Sequence, residues 1–319
     1  MPRHTGFVPH GVIPAVLLPF NDDLSIDEGS YRAHLRDVAA VSGLSAITTN
    51  AHSTEVASCT FDEQKRVLAI TQDEIGARLP IVNGIYADGS MEAQRLAKMA
   101  HDGGASALLV FPPAVYAFGQ RPEMAIEHFK RIAAVTDLPL IAFQYPASGS
   151  LGYPLPTLLK IIEAVPTLRA IKDWCGNAQL QDRQIRALQT RTPPVNVLTT
   201  HSAWLFSSLV LGCNGLLSGS GSVIADLQAQ LFRAVQAKDL AAAQRIHDSI
   251  YHTAEVFYAE PPVDMHNRMK EALVLLGKLP RAVVRPPLVK ISAAEIERIR
   301  QALIAAGLLG RDGAVRRAA

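Results

Sequence analysis

Leu168-Arg-Ala-Ile-Lys-Asp-Trp-Cys-Gly-Asn177 is the stretch on which the reading of this chain turns. Five of its ten residues are apolar or aromatic, a helical pattern ends before it near Pro166, and Gly176 closes it. That combination predicts a short buried strand running into a loop. Lys172 sits at its centre. Burying an ammonium without a partner costs several kcal/mol, and a lowered pKa is the cheaper escape. A neutral amine is also what attack on a carbonyl and Schiff-base formation require. A strand-end lysine that snorkels to water is the other reading, and the stretch alone leaves both open. The remaining lysines, Lys65, Lys98, Lys130, Lys160, Lys238, Lys270, Lys278 and Lys290, fall in helical patterns or in loops of the C-terminal part.

Outward from this strand one alternation repeats. Short β-branched or apolar runs at 12–19, 45–49, 80–85, 107–111, 139–144, 169–173, 195–199 and 215–218 are each followed by an amphipathic helical pattern, at 27–40, 62–76, 91–102, 122–135, 155–165, 180–189, 203–211 and 224–236. Ser25 with Glu28, and Thr60 with Glu63, have capping-box spacing, and glycines at 103–104 and 212 stop helices. Strands alternating with helices demand right-handed crossovers and a parallel sheet. Eight units fit an α/β protein of the (β/α)8 TIM-barrel class better than an open sheet. No Gly-x-Gly-x-x-Gly follows the first strand, and no Walker-type glycine loop occurs. The barrel is expected over residues 1–238. Residues 239–319 are expected to form a helical region packed on it, with helices at 239–260 and 265–277 and a last one capped by Ser292.

Composition narrows the function classes. The net charge is +2, spread along the chain, with a short basic tail at Arg311, Arg316 and Arg317. Neither a nucleic-acid footprint nor a membrane anchor is present, so no nucleic acid and no membrane are expected as partners. Cys59, Cys175 and Cys213 are too far apart for metal-ligand spacing, and no metal is expected. The first ten residues lack the apolar core of a signal peptide, and no apolar run approaches the roughly 18 residues of a span. A cytoplasmic protein is the expectation.

A barrel of this kind builds its site at the C-terminal ends of its strands. Those ends carry Asn50-Ala-His-Ser-Thr-Glu55, Phe111-Pro-Pro-Ala-Val-Tyr116, Phe143-Gln-Tyr-Pro146, Lys172 and His201-Ser202. An amine, hydroxyls, phenols and imidazoles thus meet on one rim. His52, Glu55 and His201 make only a forced metal set. Gly219-Ser-Gly-Ser, after the last strand, suits a phosphate or merely a tight turn.

Ile171-Lys172-Asp173-Trp-Cys-Gly176-Asn177 is similar to the Ile-Lys-Asp/Glu-x-x-Gly-Asp/Asn signature of the dihydrodipicolinate synthase and N-acetylneuraminate lyase family of Schiff-base aldolases. The resemblance runs from Gly11-Val-Ile-Pro to Arg285-Pro-Pro-Leu-Val, with further matches at Gly84-Ile-Tyr, Gly103-Gly-Ala-Ser-Ala, Glu260-Pro and Lys270-Glu-Ala-Leu. It implies that Lys172 is the Schiff-base lysine, that no cofactor is needed beyond the covalent imine, and that the chain assembles as a homotetramer or homodimer.

Three departures qualify it. The family's carboxylate-binding loop, Gly-Thr-Thr-Gly-Glu, is matched by Ala51-His-Ser-Thr-Glu55, which lacks both glycines. Ser53 still offers a hydroxyl, and His52 adds charge, acts as a base or fills space. The family's Tyr-x-x-Pro, whose phenol relays protons, is matched by Phe143-Gln-Tyr145-Pro146. Tyr145, two residues on in an extended strand, points to the same side and is the substitute relay, the alternative being a packing role with His52 or Tyr116 moving the proton. The family's other tyrosine, near the fourth strand, has only Tyr116 as a displaced match. The arginine that dihydrodipicolinate synthases carry shortly after Tyr-x-x-Pro is missing from Ala147-Ser-Gly-Ser-Leu-Gly-Tyr153. A bidentate cation is not replaced by serine, which disfavours that reaction.

The expected site is therefore catalytic Lys172 and Tyr145, with His52, Ser53, Thr54, Glu55, Phe143, Tyr116, His201, Ser218 and Gly219 binding substrate. The expected activity is a lyase acting on a small 2-oxo acid, by pyruvate-type aldol chemistry or dehydration of a substrate like a 2-keto-3-deoxy sugar acid. A non-catalytic 2-oxo acid binder is the second reading and a phosphosugar isomerase the third.

Overall fold

A computed structural model describes residues 3–146 and 149–315. Ala147 and Ser148, in the run where arginine was sought, and Arg316 and Arg317 of the basic tail lie outside the described residues. Eight parallel strands, β1 Gly11–Pro14, β2 Ile47–Thr49, β3 Ile81–Ile85, β4 Ala107–Val110, β5 Leu140–Gln144, β6 Leu168–Asp173, β7 Asn196–Thr199 and β8 Gly215–Ser218, alternate with α1 Glu28–Ala39, α2 Phe61–Ile75, α3 Ser90–Asp102, α4 Pro122–Ala133, α5 Leu155–Ala164, α6 Ala178–Gln189, α7 Leu205–Leu211 and α8 Gly221–Gln236. From β2 to β8 each strand pairs with the next, and β1 pairs with β8. Single bridges, Val12 with Leu44 and Ala15 with Thr48, bring β1 to β2 and complete a TIM barrel.

The two-residue period of the strands sorts the core into two shells. Ile13, Val82, Leu109, Ile141, Phe143, Ala170, Leu198 and Leu217 fill the barrel interior. Their neighbours Val12, Leu108, Val110, Ala142, Ile171, Val197 and Leu216 pack outward beneath the helices. The same parity places Lys172, two residues after Ala170, toward the barrel axis, and the β5–β6 register sets it directly beside Phe143.

Two expectations are corrected. β1 stops at Pro14 rather than Pro19: Ala15 N and Val16 N still bond the carbonyls of Ser218 and Thr48, both at 3.0 Å, but from Leu17, whose N bonds Ser222 Oγ at 2.7 Å, the chain has left the sheet. Ser25 does not cap α1. Asp27 does, its carboxylate accepting from Ser30 N at 3.0 Å, while Ser25 bonds Asp23 at 2.6 Å. The second box forms as read: Thr60 and Glu63 each accept from the other's backbone N–H.

Beyond Lys238, α9 Leu240–Phe257, α10 Met265–Leu275 and α11 Ala293–Ala305 follow. In α10 every residue from His266 to Leu273 is buried. Its charges are accordingly partnered: Arg268 donates to Glu295 at 2.5 Å and to the carbonyl of Ala259 at 2.6 Å, and Lys270 donates to Glu55 and to the carbonyl of Val283. The helix thus reaches across to the loop after β2. Among the described residues no helix is long and apolar enough to cross a membrane.

Candidate active site

At the C-terminal mouth of the barrel lies a cavity of about 40 Å³, walled by Ala15, Ala51, His52, Ser53, Phe143, Lys172, Trp174, Thr200, Gly219, Tyr258, Met265 and His266. Lys172 is 6% exposed, and its Nζ stands 4.2 Å from the centre of the Phe143 ring. A ring face gives an ammonium about 1–2 kcal/mol, too little to offset burial. Among the described residues no carboxylate accepts from this amine. Its neighbour Asp173 points out of the barrel, bonded by Gln181 Nε2 at 2.7 Å and by Cys175 N at 3.1 Å. Burial alone therefore brings the Lys172 pKa down to about 7, so half of the amine is neutral at that pH.

His52 heads the 3₁₀ turn His52–Thr54 after β2. Its ring stacks on Phe111 at 4.6 Å, meets Phe143 edge-on at 5.9 Å, and brings Nε2 to 3.2 Å from the Tyr145 hydroxyl. Burial, and after it the nearby charge of Lys172, push the His52 pKa down to about 3, so the imidazole is a neutral partner for the phenol. Burial raises the Tyr145 pKa above its ordinary value and keeps the phenol protonated. Tyr145 packs on Phe143 at 4.5 Å and on Trp174 at 5.6 Å. The Ser53 hydroxyl is buried, lines the cavity and has no hydrogen-bond partner among the described residues. A buried orphan donor is costly unless a ligand satisfies it.

Neither residue standing where the family has a glycine, Ala51 or Thr54, adopts a left-handed backbone. Ala51 is extended, at φ −112° and ψ −173°, which any residue adopts. The left-handed positions fall instead on Asn50 and Glu55, at φ 50° and 51°. Asn50 is held there by bonds from its amide to the Gln64 carbonyl and to Asn83 Oδ1, both 2.8 Å. Gly84 matters for close approach, since a Cβ there would lie 1.9 Å from the Asn50 carbonyl oxygen.

The remaining expected residues are not all brought to the cavity. Thr54 turns its hydroxyl back to the Ala51 carbonyl at 2.8 Å. Glu55 faces away, its carboxylate accepting from Lys270 and from Arg285 N. Tyr116, in the turn Ala114–Phe118, packs in the shell between strands and helices, where burial pushes its pKa up to about 12. Ser218 joins Ser220 at 2.9 Å below the cavity floor, while Gly219 forms part of that floor. His201 stacks on Trp204 at 4.3 Å and accepts from Gly176 N at 3.4 Å, bracing the loop after β6.

Trp174, Thr200, Tyr258, Met265 and His266 line the cavity without having been singled out. Trp174 lies inside the opening stretch, and its signal was its nearness to Lys172. Tyr258 follows α9, and Met265 and His266 begin α10, whose docking on the rim no local pattern reveals. Burial, then the charges of His52, Lys172 and Lys270, hold the His266 pKa well below its ordinary value. As for metals, His52, Glu55 and His201 do not converge. Asp173, Cys175 and His201 do, with donor atoms within 4.8 Å of one another. The Asp173 carboxylate is already bonded, and burial holds the Cys175 thiol protonated with its pKa up to about 12, so these three fit a hydrogen-bond network better than a ligand set.

A family model described as the dihydrodipicolinate synthetase family matches residues 8–306. The 4-hydroxy-tetrahydrodipicolinate synthase of Nitratidesulfovibrio vulgaris is 27% identical over 300 residues, covering 94% of this chain and 99% of that protein. The enzyme of the same name from Chloroherpeton thalassium is 28% identical over 301 residues, covering 94% and 96%. Among solved structures, dihydrodipicolinate synthase from Thermotoga maritima superposes with a TM-score of 0.87 at 23% identity, covering 95% of this chain and all of that one. A prophage protein of the dihydrodipicolinic acid synthase family from E. coli K12, in complex with pyruvate, superposes at 0.86 and 22% identity, covering 94% and 99%.

Proposed function

This chain belongs to the dihydrodipicolinate synthetase family, whose members are lyases of the class I aldolase type, and on that premise we propose that it is a Schiff-base lyase acting on a 2-oxo acid through Lys172. The observation that carries the reading is a buried lysine, without a counter-charge among the described residues, in one cavity with the unpartnered Ser53 hydroxyl.

The neutral Nζ attacks C2 of the 2-oxo acid while the substrate carboxylate accepts from Ser53 Oγ. The carbinolamine loses its hydroxyl as water. In an aldol cleavage the protonated imine then takes the electron pair of the C3–C4 bond as the C4 hydroxyl gives up its proton. In a dehydration it takes the C3–H pair, the enamine so formed expelling the C4 hydroxyl as water. No metal or organic cofactor is called for, because the imine is itself the electron sink. Tyr145 and His52 pass the protons. The phenol is held protonated, so it can give a proton to the departing hydroxyl, and the imidazole is held neutral, so its unprotonated nitrogen can accept one. Phe143 supplies a wall rather than a hydroxyl. The missing arginine after Pro146 disfavours the dihydrodipicolinate synthase reaction itself, although the relatives carry that name. Phe118, 95% exposed, and Val115, 50% exposed, follow β4 and give an apolar surface that a second copy would cover in a homodimer or homotetramer. A cytoplasmic setting suits the three free cysteines.

The test is borohydride reduction in the presence of pyruvate and a panel of 2-oxo acids, followed by peptide mass mapping. A reduced adduct on Lys172, absent from Lys172→Ala, is expected. One observation favours a second reading: Phe143 puts a ring where the amine's neighbour would need a hydroxyl. If the folded protein binds a 2-oxo acid but traps none, it is a binder of such acids and not a lyase.

A further inference from the structure

The cavity around Lys172, at about 40 Å³, is small. A single water needs roughly 10–15 Å³ by this measure, so the space takes the reacting carbons and their carboxylate and little else. The rest of a larger substrate has to leave through a neighbouring space. One adjoins it: a cavity of about 300 Å³ shares His52, Met265 and His266 with the first.

The chemistry of that second chamber is one-sided. Val56, Ala57, Val263, Pro286, Pro287 and Leu288 contribute hydrocarbon, and Tyr86 adds a ring that meets His52 edge-on at 5.6 Å. Two charged residues reach it, and both are already committed. The guanidinium of Arg285 makes five hydrogen bonds, to Leu24 O, Ser58 O and the Glu63 carboxylate, which uses every donor it has. Glu55 accepts from Lys270 and from Arg285 N. The Ser58 hydroxyl donates to the Glu55 carbonyl at 2.8 Å. Burial keeps the imidazoles of His52 and His266 neutral. The space is open to solvent at Ala57, Val263, Pro286 and Pro287, and its remaining polar groups, the Tyr86 hydroxyl and the His266 imidazole, are neutral, so a carboxylate or phosphate entering here meets no uncommitted cation among the described residues.

We propose that this chamber holds the part of the substrate beyond C3, and that this part is an uncharged aryl group, so the substrate class is an aryl-bearing 2-oxo acid rather than a sugar acid. The size agrees: a dry cavity of about 150 Å³ lined by aliphatic side chains accepts benzene, so twice that volume takes a ring with substituents. Flat walls of proline, tyrosine and imidazole suit a ring better than a flexible alkyl chain. The inference rests on the imine reading of Lys172 and deepens it.

The test uses the full chain and compares three acids by the concentration that half-saturates borohydride trapping on Lys172: pyruvate, 2-oxo-4-phenylbutanoate and 2-keto-3-deoxygluconate. In each trapping event the carbonyl oxygen leaves as water, the carbon–nitrogen double bond forms, and hydride from borohydride reduces it to an amine. The phenyl acid should half-saturate at a concentration at least tenfold below that of the sugar acid. Ala57→Trp, which fills the chamber, should erase that advantage and leave the value for pyruvate unchanged. Val263→Trp provides the same test if Ala57→Trp does not fold. Equal values, or tighter trapping of the sugar acid, with pyruvate still trapped, would overturn the chamber assignment and leave the Schiff-base reading standing. Absence of any pyruvate adduct would remove that reading and this one with it.

Discussion

Replacing Lys172 by methionine should stabilise the protein, and by an amount that depends on pH. Methionine keeps the volume and loses the charge. The ordinary lysine pKa of 10.5 falls to about 7 in the native state because of burial. Between those two pH values the unfolded chain binds a proton that the native protein does not, so stability of the parent protein rises with pH through that window. The penalty is complete below pH 7 and gone above 10.5. At about 1.4 kcal/mol per pKa unit it amounts to roughly 4 kcal/mol at pH 7 and about 1 kcal/mol at pH 9.5. Lys172→Met should therefore exceed the parent in unfolding free energy by several kcal/mol at pH 7, with most of the excess lost by pH 9.5. Urea denaturation of both proteins at the two pH values measures this. Every other titrating group is common to the pair and cancels. A difference that does not change with pH, or a variant less stable at pH 7, would refute the claim that burial without a counter-charge sets the state of this amine.

Other consequences can be checked singly. Ser53→Ala should raise KM for the 2-oxo acid by about 10- to 100-fold with kcat nearly kept, the loss of one hydrogen bond to a charged group, as read from steady-state kinetics. Tyr145→Phe should lower kcat by about 10²- to 10⁴-fold with KM little altered, the usual range for losing a proton-transfer group, and His52→Asn should act in the same direction; unchanged turnover in both would remove the pair from the relay. Glu55→Gln should leave Lys270 buried without its partner and cost about 3–5 kcal/mol in urea unfolding, since the pair is 0% and 5% exposed; a loss below about 1 kcal/mol would contradict the ion-pair role.

How far the sequence carried this description depends on which interactions are local. Strand and helix periods are local, and so the eightfold alternation was legible, as was the place of Lys172 in the sixth strand; its inward direction was left open against a snorkelling lysine. Helix starts are local too, yet Ser25 misled: Asp27 is also a good cap, and only the loop geometry that ties Ser25 to Asp23 decides between them. The loop after β2 was read from its likeness to a glycine-bearing one. That reading grouped Ser53, Thr54 and Glu55 together, although a 3₁₀ turn sends their side chains in different directions. Least legible was α10. Its Arg268, Lys270 and Glu271 are side chains that a helix ordinarily turns to water, but each is buried, and their partners lie in the loop after β2, around residues 257–261, in α11 and at Lys290. Met265 and His266 reach the cavity only because that distant packing holds. Nothing within the helix's own pattern encodes it.

The most direct test of the central claim is the initial rate of borohydride-trapped imine on Lys172 as a function of pH, at a pyruvate concentration well below saturation. A neutral fraction governed by a pKa of about 7 gives a rate that rises about tenfold per pH unit below 6 and levels off above 8. A rate still climbing tenfold per unit between pH 8 and 9, as for a lysine in water, or an adduct mapped to a different lysine, would contradict it.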